Sequence, residues 1–192
     1  MSSQALKISA LILAAGESKR MEKPKQLLRF HDKTLLSYAI ASVELVISDI
    51  KVVLGANYTD ISKSISDQTV EIIRNNQWSK GMSSSLAIGI ESLSKDIDAV
   101  LIMLCDQPLI TNQYLKSLLD HFLKHQVTIC SGYNGICGVP AIFPKRLFPD
   151  LMKISGDRGA GVLLNKINKI VIDCPLAMKD IDTMEDYHSI LK

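Results

Sequence analysis

The chain has 192 residues, 47% of them apolar and 22% charged, with a formal net charge of +2. A chain of that length fits one domain, 1–192, and buries roughly 70% of the surface its unfolded form exposes, so its core needs no disulfide or metal staples. The small, dispersed charge excludes an extended nucleic-acid surface, the apolar run from Ile8 to Ala15 is too short to span a bilayer, and the leading MSSQALK lacks the form of a secretory signal, so a cytoplasmic location is expected.

Residues 7–13 read as a buried strand. Residues 35–46 have helical apolar spacing, with Thr34 as an N-cap. Residues 51–54 form a second strand that ends at Gly55, and 58–65 a short helix. Residues 70–74 form a third strand, 83–93 a helix, and the very apolar 99–104 a fourth strand. Thr111 caps a helix that runs through Lys124, and 127–131 form a fifth strand. The YNGICG segment, 133–138, has turn chemistry and joins two pieces of sheet; 139–143 and 169–172 are further strands, and 183–191 a closing helix. Continuous apolar strands alternating with helix-length segments predict an α/β fold with a mainly parallel sheet covered on both faces. Ligands of such sheets bind beyond the carboxyl ends of the strands, which directs attention to the loops after Leu13, Arg74 and Leu104.

The first of these loops is cationic. Gly16 follows the strand, and Lys19, Arg20, Lys23 and Lys25 come soon after it. Glycine lets backbone N–H groups approach phosphate oxygens, Arg20 can grip phosphate bidentately, and Lys25 supplies a point charge. A nucleoside triphosphate suits this chemistry; a solvated basic loop is the alternative. Two common phosphate motifs are absent: no GK[ST] closes a Walker loop, since Met21 stands five residues after Gly16, and no GxGxxG is present.

Asp106 is the first carboxylate after the fourth strand, in the segment CDQP. A carboxylate there can hold Mg²⁺ with the help of substrate phosphates, or can serve as a turn or cap residue before Thr111. The segment NNQWSKGMSSSL carries serines able to cap a helix or offer hydroxyls to a ligand, and its lone tryptophan, Trp78, is assigned to packing. Asp182 and Thr183 are both good N-caps for the last helix. His121 and His125 lie four apart but lack a companion glutamate motif and receive no role. The four cysteines, Cys105, Cys130, Cys137 and Cys174, have no metal-site spacing and read as reduced thiols.

LAAGESKRMEKPKQLL resembles the signature of the nucleotidyltransferases related to molybdenum-cofactor cytidylyltransferase, approximately LAAG-x-S-x-R-M-G-x-x-K-x-L-L. It is met here by Leu13, Ala14, Ala15, Gly16, Ser18, Arg20, Met21, Lys25, Leu27 and Leu28. Glu22 departs from it, standing where the family has glycine; Lys23 beside it can offset the added charge. CDQP, the G-x-S-x-S segment at 81–85, G-x-P at 138–140, GD-x-GA at 156–160 and DIDT at 180–183 resemble later family segments in the same order.

The resemblance implies a three-layer α/β/α, Rossmann-like nucleotidyltransferase fold and transfer of CMP from CTP to the phosphate of molybdenum-loaded molybdopterin, with release of pyrophosphate. It implies Arg20, Lys25 and Asp106 as catalytic residues, and Mg²⁺ on Asp106 with Asp182 as a second ligand. Leu13, Ala14, Ala15 and Gly16 would contact the nucleotide, Gly81 with Ser83 and Ser85 the base or ribose, and Gly156, Asp157 and Arg158 an acceptor phosphate. CTP is favoured because Ala15 matches the LAAG of the cytidylyl branch rather than the LAGG of the guanylyl branch, and Gln107 matches that branch's DQP-type segment. A molybdenum hydroxylase is the implied partner. Alternatives are transfer to another acceptor or from another nucleotide, and a non-catalytic protein that binds and delivers finished cofactor. Similar sequences also carry the label of nicotine blue oxidoreductases, against which the missing dinucleotide fingerprint counts.

Overall fold

The computed structural model describes residues 5–21 and 23–191. Strand β1 (Ile8–Ala14) leads through a 3-10 turn at Lys25–Leu27 to a small hairpin, β2 (Arg29–Phe30) and β3 (Lys33–Thr34), and then to helix α1 (Leu35–Glu44). The alternation continues with β4 (Asp49–Leu54), α2 (Tyr58–Ser64), β5 (Glu71–Arg74), α3 (Met82–Glu91), β6 (Ala99–Leu104) and α4 (Asn112–His125). β7 (Thr128–Tyr133) and β8 (Ile136–Pro144) form a hairpin. The short helices α5 (Phe148–Met152) and α6 (Gly161–Leu164), strand β9 (Lys169–Asp173) and helix α7 (Met184–Ile190) complete the chain.

Local chemistry sets these boundaries. Thr34 Oγ1 accepts the Ser37 N–H at 3.1 Å and starts α1. Thr111 Oγ1 accepts the Tyr114 N–H at 3.3 Å and starts α4, which ends at Gln126 in the left-handed region (φ 51°), with Lys124 and His125 beside the negative pole of its dipole. At α7 the cap is Thr183, in a reciprocal box with Asp186, so Asp182 is free of that duty. Asn134 and Gly135, at φ 47° and 75°, make the tight turn between β7 and β8.

The sheet has seven strands in the order β5-β4-β1-β6-β8-β7-β9. The pairs β5–β4, β4–β1, β1–β6 and β7–β9 are parallel; β8 runs against both its neighbours. The chain moves from β1 outward to β4 and β5 and then returns to the other side of β1 with β6. A crevice therefore opens beyond the carboxyl ends of β1 and β6, where their following loops diverge.

Both faces are covered. Ala10, Ile12 and Ala14 of β1 pack with Leu36, Ile40 and Val43 of α1 and with Leu115, Leu118 and Phe122 of α4. Leu11 and Leu13 pack with Leu86 and Ile90 of α3, Leu151 of α5 and Leu164 of α6. This alternation is what a strand period of two imposes on a sheet between helical layers. A third, smaller cluster joins Leu28, Phe30 and Leu35 to Ile181, with Tyr187 and Ile190 of α7 against it. That cluster anchors the C-terminal segment over the β2–β3 hairpin.

The three-layer α/β/α reading holds. The β2–β3 hairpin and α5 were not expected from the sequence, and residues 136–138, read as part of a connection, belong to β8. Among the described residues, no helix is long and apolar enough to cross a membrane. Removing the α4 cap by Thr111→Ala is expected to lower unfolding free energy by about 1 kcal/mol. Urea denaturation measures this, and an unchanged midpoint would show that the cap contributes nothing.

Candidate active site

The loop after β1 is shaped by its own neighbours. Ala15 C=O accepts the Ala56 N–H at 3.1 Å. Ser18 sits in the left-handed region (φ 60°), and its Oγ accepts the Lys25 N–H at 3.0 Å. The buried Gln26 side chain donates to Ala14 C=O and Gly16 C=O, both at 2.9 Å. These contacts bring Lys25 across the crevice toward β6.

There the Lys25 ammonium meets Asp106 Oδ2 at 2.5 Å and Asp182 Oδ1 at 3.0 Å. Its third donor reaches Ile181 C=O at 3.3 Å. Arg20 holds the other oxygen of Asp182 at 2.9 Å. Asp182 is brought here by backbone: the Ile181 N–H donates to Asp106 C=O at 3.0 Å, and Ile181 is fully buried in the third cluster. Three distant parts of the chain thus converge on one ammonium group.

A cleft of about 630 Å³ opens over this cluster. Leu13, Ala14, Ala15, Gly16, Arg20 and Lys25 line one side, with Asp106 and Asp182 at its end and Gly81, Ser85 and Asp157 on the opposite wall. A Cβ at Gly16 would meet nothing within 4 Å, so the glycine leaves that part of the cleft clear. Three of the expected residues fall outside the lining: Ser83 is buried on the first turn of α3, and Gly156 and Arg158 are exposed nearby. Glu22 lies outside the described residues.

The opposite wall has its own construction. Gly81, at φ 99°, is the N-cap of α3 and makes no side-chain cap. It lies so close to the next loop that a Cβ would meet Gly156 C=O at 2.8 Å. Gly156 C=O accepts the Ser83 N–H at 3.3 Å, and Asp157 Oδ1 approaches the Met82 N–H at 3.4 Å. The positive end of α3 is therefore partly met by a carboxylate from another loop rather than left for a phosphate. Asn75 donates to both Ser84 and Ser85 at 2.9 Å, and Ser84 back-bonds to Gly81 C=O. Trp78, read as packing from the sequence, also lines the cleft; it packs against Gly55, where any side chain would collide with it.

Electrostatics follow from burial and proximity. Burial by itself lowers the Lys25 ammonium, but the Asp106 carboxylate and then Asp182 more than offset this and hold it above its ordinary value. Burial works against the Asp182 carboxylate, yet Lys25 and Arg20 hold it below the usual range. Asp180, two residues earlier, forms no ion pair among the described residues, and the more distant Lys25 offsets its burial only in part. Burial and the neighbouring Asp106 push it up to about 6. Burial, then Asp106, also pushes the Cys105 thiol up to about 12, which makes it inert.

The donor set fits a divalent cation in one respect. Asp106 Oδ1 is buried with no hydrogen-bond partner, beside an oxygen already engaged by Lys25. No group of three or more His, Cys, Asp or Glu side chains able to hold a metal occurs among the described residues. Two carboxylates completed by water and substrate phosphates is the pattern Mg²⁺ favours.

The family model of the MobA-like NTP transferase domain matches residues 10–170. The chain belongs to that family. It is 29% identical over 199 residues to "Nicotine blue oxidoreductase" of Paenarthrobacter nicotinovorans, covering 96% of each. It is 27% identical over 132 residues to "Probable molybdenum cofactor guanylyltransferase" of Bacillus mycoides, covering 67% of this chain and 64% of that one. Among solved structures, Rv0371c of Mycobacterium tuberculosis H37Rv superimposes with a TM-score of 0.83 at 24% identity, over 98% of this chain and 99% of that one. Molybdopterin-guanine dinucleotide biosynthesis protein A of Archaeoglobus fulgidus does so with a TM-score of 0.73 at 14% identity, over 95% and 96%. MobA-like members thus share the fold described above.

Two outcomes are expected. Lys25→Met strands two facing carboxylates and is expected to cost about 3 kcal/mol of stability, the lower end for breaking a buried pair. A loss below about 1 kcal/mol, as for an exposed ion pair, would contradict the burial argument. Asp180→Asn, in protein freed of divalent cations, relieves a charged group whose folded pKa is raised. The variant is expected to gain on the order of 2 kcal/mol over the parent above pH 6, to lose most of that advantage by about pH 4 and the rest below about pH 3, where Asp180 is neutral in both states. Parallel stability curves across that window would refute it.

Proposed function

We propose that this protein is a nucleotidyltransferase that transfers CMP from CTP to the phosphate of a molybdopterin-type acceptor and releases pyrophosphate, with all 192 residues acting as one domain. The observation that carries this reading is the meeting of Lys25 and Arg20 with Asp106 and Asp182 at the end of a cleft floored by the loop after β1. Membership of the MobA-like family supports the transferase class, and the relative named for molybdenum cofactor guanylyl transfer supports the acceptor. The choice of CTP rests on Ala15, which lines the cleft where the guanylyl branch has glycine.

The reaction joins an acceptor phosphate oxygen to the α-phosphorus as the bond from that phosphorus to the bridging oxygen of the β-phosphate breaks. The attacking oxygen is already anionic, so no residue need remove a proton. The chain contributes alignment and charge. Arg20 binds the departing phosphates, Lys25 the α-phosphate, and the N–H groups around Gly16 the remaining oxygens. Asp106 and Asp182 would hold Mg²⁺. When bound, the ion neutralises triphosphate charge. The Gly81 and Ser85 wall receives the base or ribose, and Arg158, outside the cleft lining, is left to the acceptor side.

A second reading is favoured by the full-length match to the protein named nicotine blue oxidoreductase. It is weakened by the absence of a GxGxxG turn after β1. One assay separates the two. Wild-type protein is expected to release pyrophosphate from CTP in the presence of Mg²⁺ and molybdenum cofactor and to leave NADPH unoxidised. Asp106→Asn is expected to lose that release by a factor of at least about 100, as when a group stabilising the transition state is removed, while its thermal unfolding stays cooperative. Full activity in Asp106→Asn would overturn the assignment. Nucleotide binding without turnover in the wild type would favour a non-catalytic nucleotide sensor.

A further inference from the structure

Gln26, in the loop region, is fully buried, and its amide nitrogen bonds backbone carbonyls. Both protons of its amide are committed, to Ala14 C=O and Gly16 C=O at 2.9 Å each. Its Oε1 receives a longer contact from Ser18 Oγ at 3.4 Å, and the same Ser18 oxygen accepts the Lys25 N–H at 3.0 Å. The turn that carries Lys25 is in this way bolted to the loop that carries Gly16.

The orientation of the loop follows. In a trans peptide unit the C=O and the next N–H point in opposite directions. Because Gly16 C=O turns to Gln26, the Glu17 N–H faces away from it. Because Ala15 C=O turns to Ala56, the Gly16 N–H faces away from Ala56. Neither N–H bonds another described residue, and both residues line the cleft. Unpaired backbone donors of this kind need an acceptor, from water or from a ligand. An anionic ligand with several oxygens is the chemistry that satisfies them together.

We propose that Gln26 is a positioning residue for nucleotide binding. By drawing the carbonyls of Ala14 and Gly16 to itself it keeps the loop's N–H groups aimed at the triphosphate, and through Ser18 it sets where Lys25 emerges. Without it, the carbonyls are free to rotate into the cleft and present oxygen to oxygen. The inference rests on the nucleotidyltransferase reading for its ligand, but not for the brace itself.

The test compares Gln26→Met, which keeps the volume and removes both donors, with Phe122→Leu, a core truncation in α4. Three quantities are read: Tm, the dissociation constant for CTP with Mg²⁺ alongside the KM and kcat split, and amide hydrogen exchange over residues 14–21 in ligand-free protein. Gln26→Met is expected to raise the nucleotide Kd and KM about tenfold, with kcat changed less than about threefold, the pattern of lost uniform binding. Its loop amides are expected to exchange faster. Phe122→Leu is expected to lose Tm and keep the wild-type nucleotide constant. The proposal is overturned if Gln26→Met binds nucleotide as the wild type does, or if its loop exchange is unchanged. It is overturned as well if both variants weaken binding alike, since the effect would then be general destabilisation. A wild-type protein that binds no nucleoside triphosphate overturns the nucleotidyltransferase reading instead, and loop exchange alone then decides the brace.

Discussion

The site depends on one ammonium group shared by two carboxylates. Lys25, Asp106 and Asp182 lie on three segments that have no local reason to meet, 81 and 157 residues apart along the chain. Setting the half-exposed Asp182 carboxylate close to the buried Asp106 carboxylate is unfavourable unless a cation lies between them. Lys25 supplies it, and Arg20 closes the outer side of Asp182. Nearby Asp180 forms no ion pair among the described residues, and its raised pKa shows what the neighbourhood does to a carboxylate compensated only in part. Under the proposed function the same balance makes the cluster useful: its cations and carboxylates are preorganised where triphosphate and metal charge would be exchanged for them.

Much of this was legible in the sequence because it rests on period and punctuation. The apolar runs of β1, β4 and β6 read as buried parallel strands, and the rule that ligands sit beyond their carboxyl ends singled out Gly16 and Asp106 together. Thr34 and Thr111 announced their helices. Other features depend on contacts that no local pattern encodes. The β2–β3 hairpin has two-residue strands, too short for any alternation to register. Whether Asp182 or Thr183 caps α7 was undecidable from two adjacent capping residues; the structure gives the box to Thr183 and sends Asp182 to Lys25.

Other outcomes have tertiary reasons. The serine segment before α3 reads as capping a helix or offering hydroxyls to a ligand, and the structure brings Asp157, 75 residues from Met82, to that helix N-terminus from another loop. Trp78 was assigned to packing, and it both packs on Gly55 and lines the cleft. Gln26 drew no attention between Lys25 and the apolar Leu27-Leu28, because nothing local shows that its side chain is buried and bonded to backbone carbonyls. Arg158, assigned to an acceptor phosphate, is exposed outside the cleft lining, and any contact it makes with an acceptor belongs to the cleft's outer edge.

The cleft therefore has two ends of different character. One is braced from beneath by Gln26 and closed by the Lys25 cluster, where two cations meet two carboxylates. The other is lined by Trp78, Gly81, Ser85 and Asp157, and under the proposed function it receives the base or ribose. The measurement that tests this division most directly is pyrophosphate release from CTP, GTP, ATP and UTP in parallel, with Mg²⁺ and with or without molybdenum cofactor. The account predicts release that requires the cofactor and is fastest with CTP. Equal rates with all four nucleotides, or no release with any of them, would contradict it.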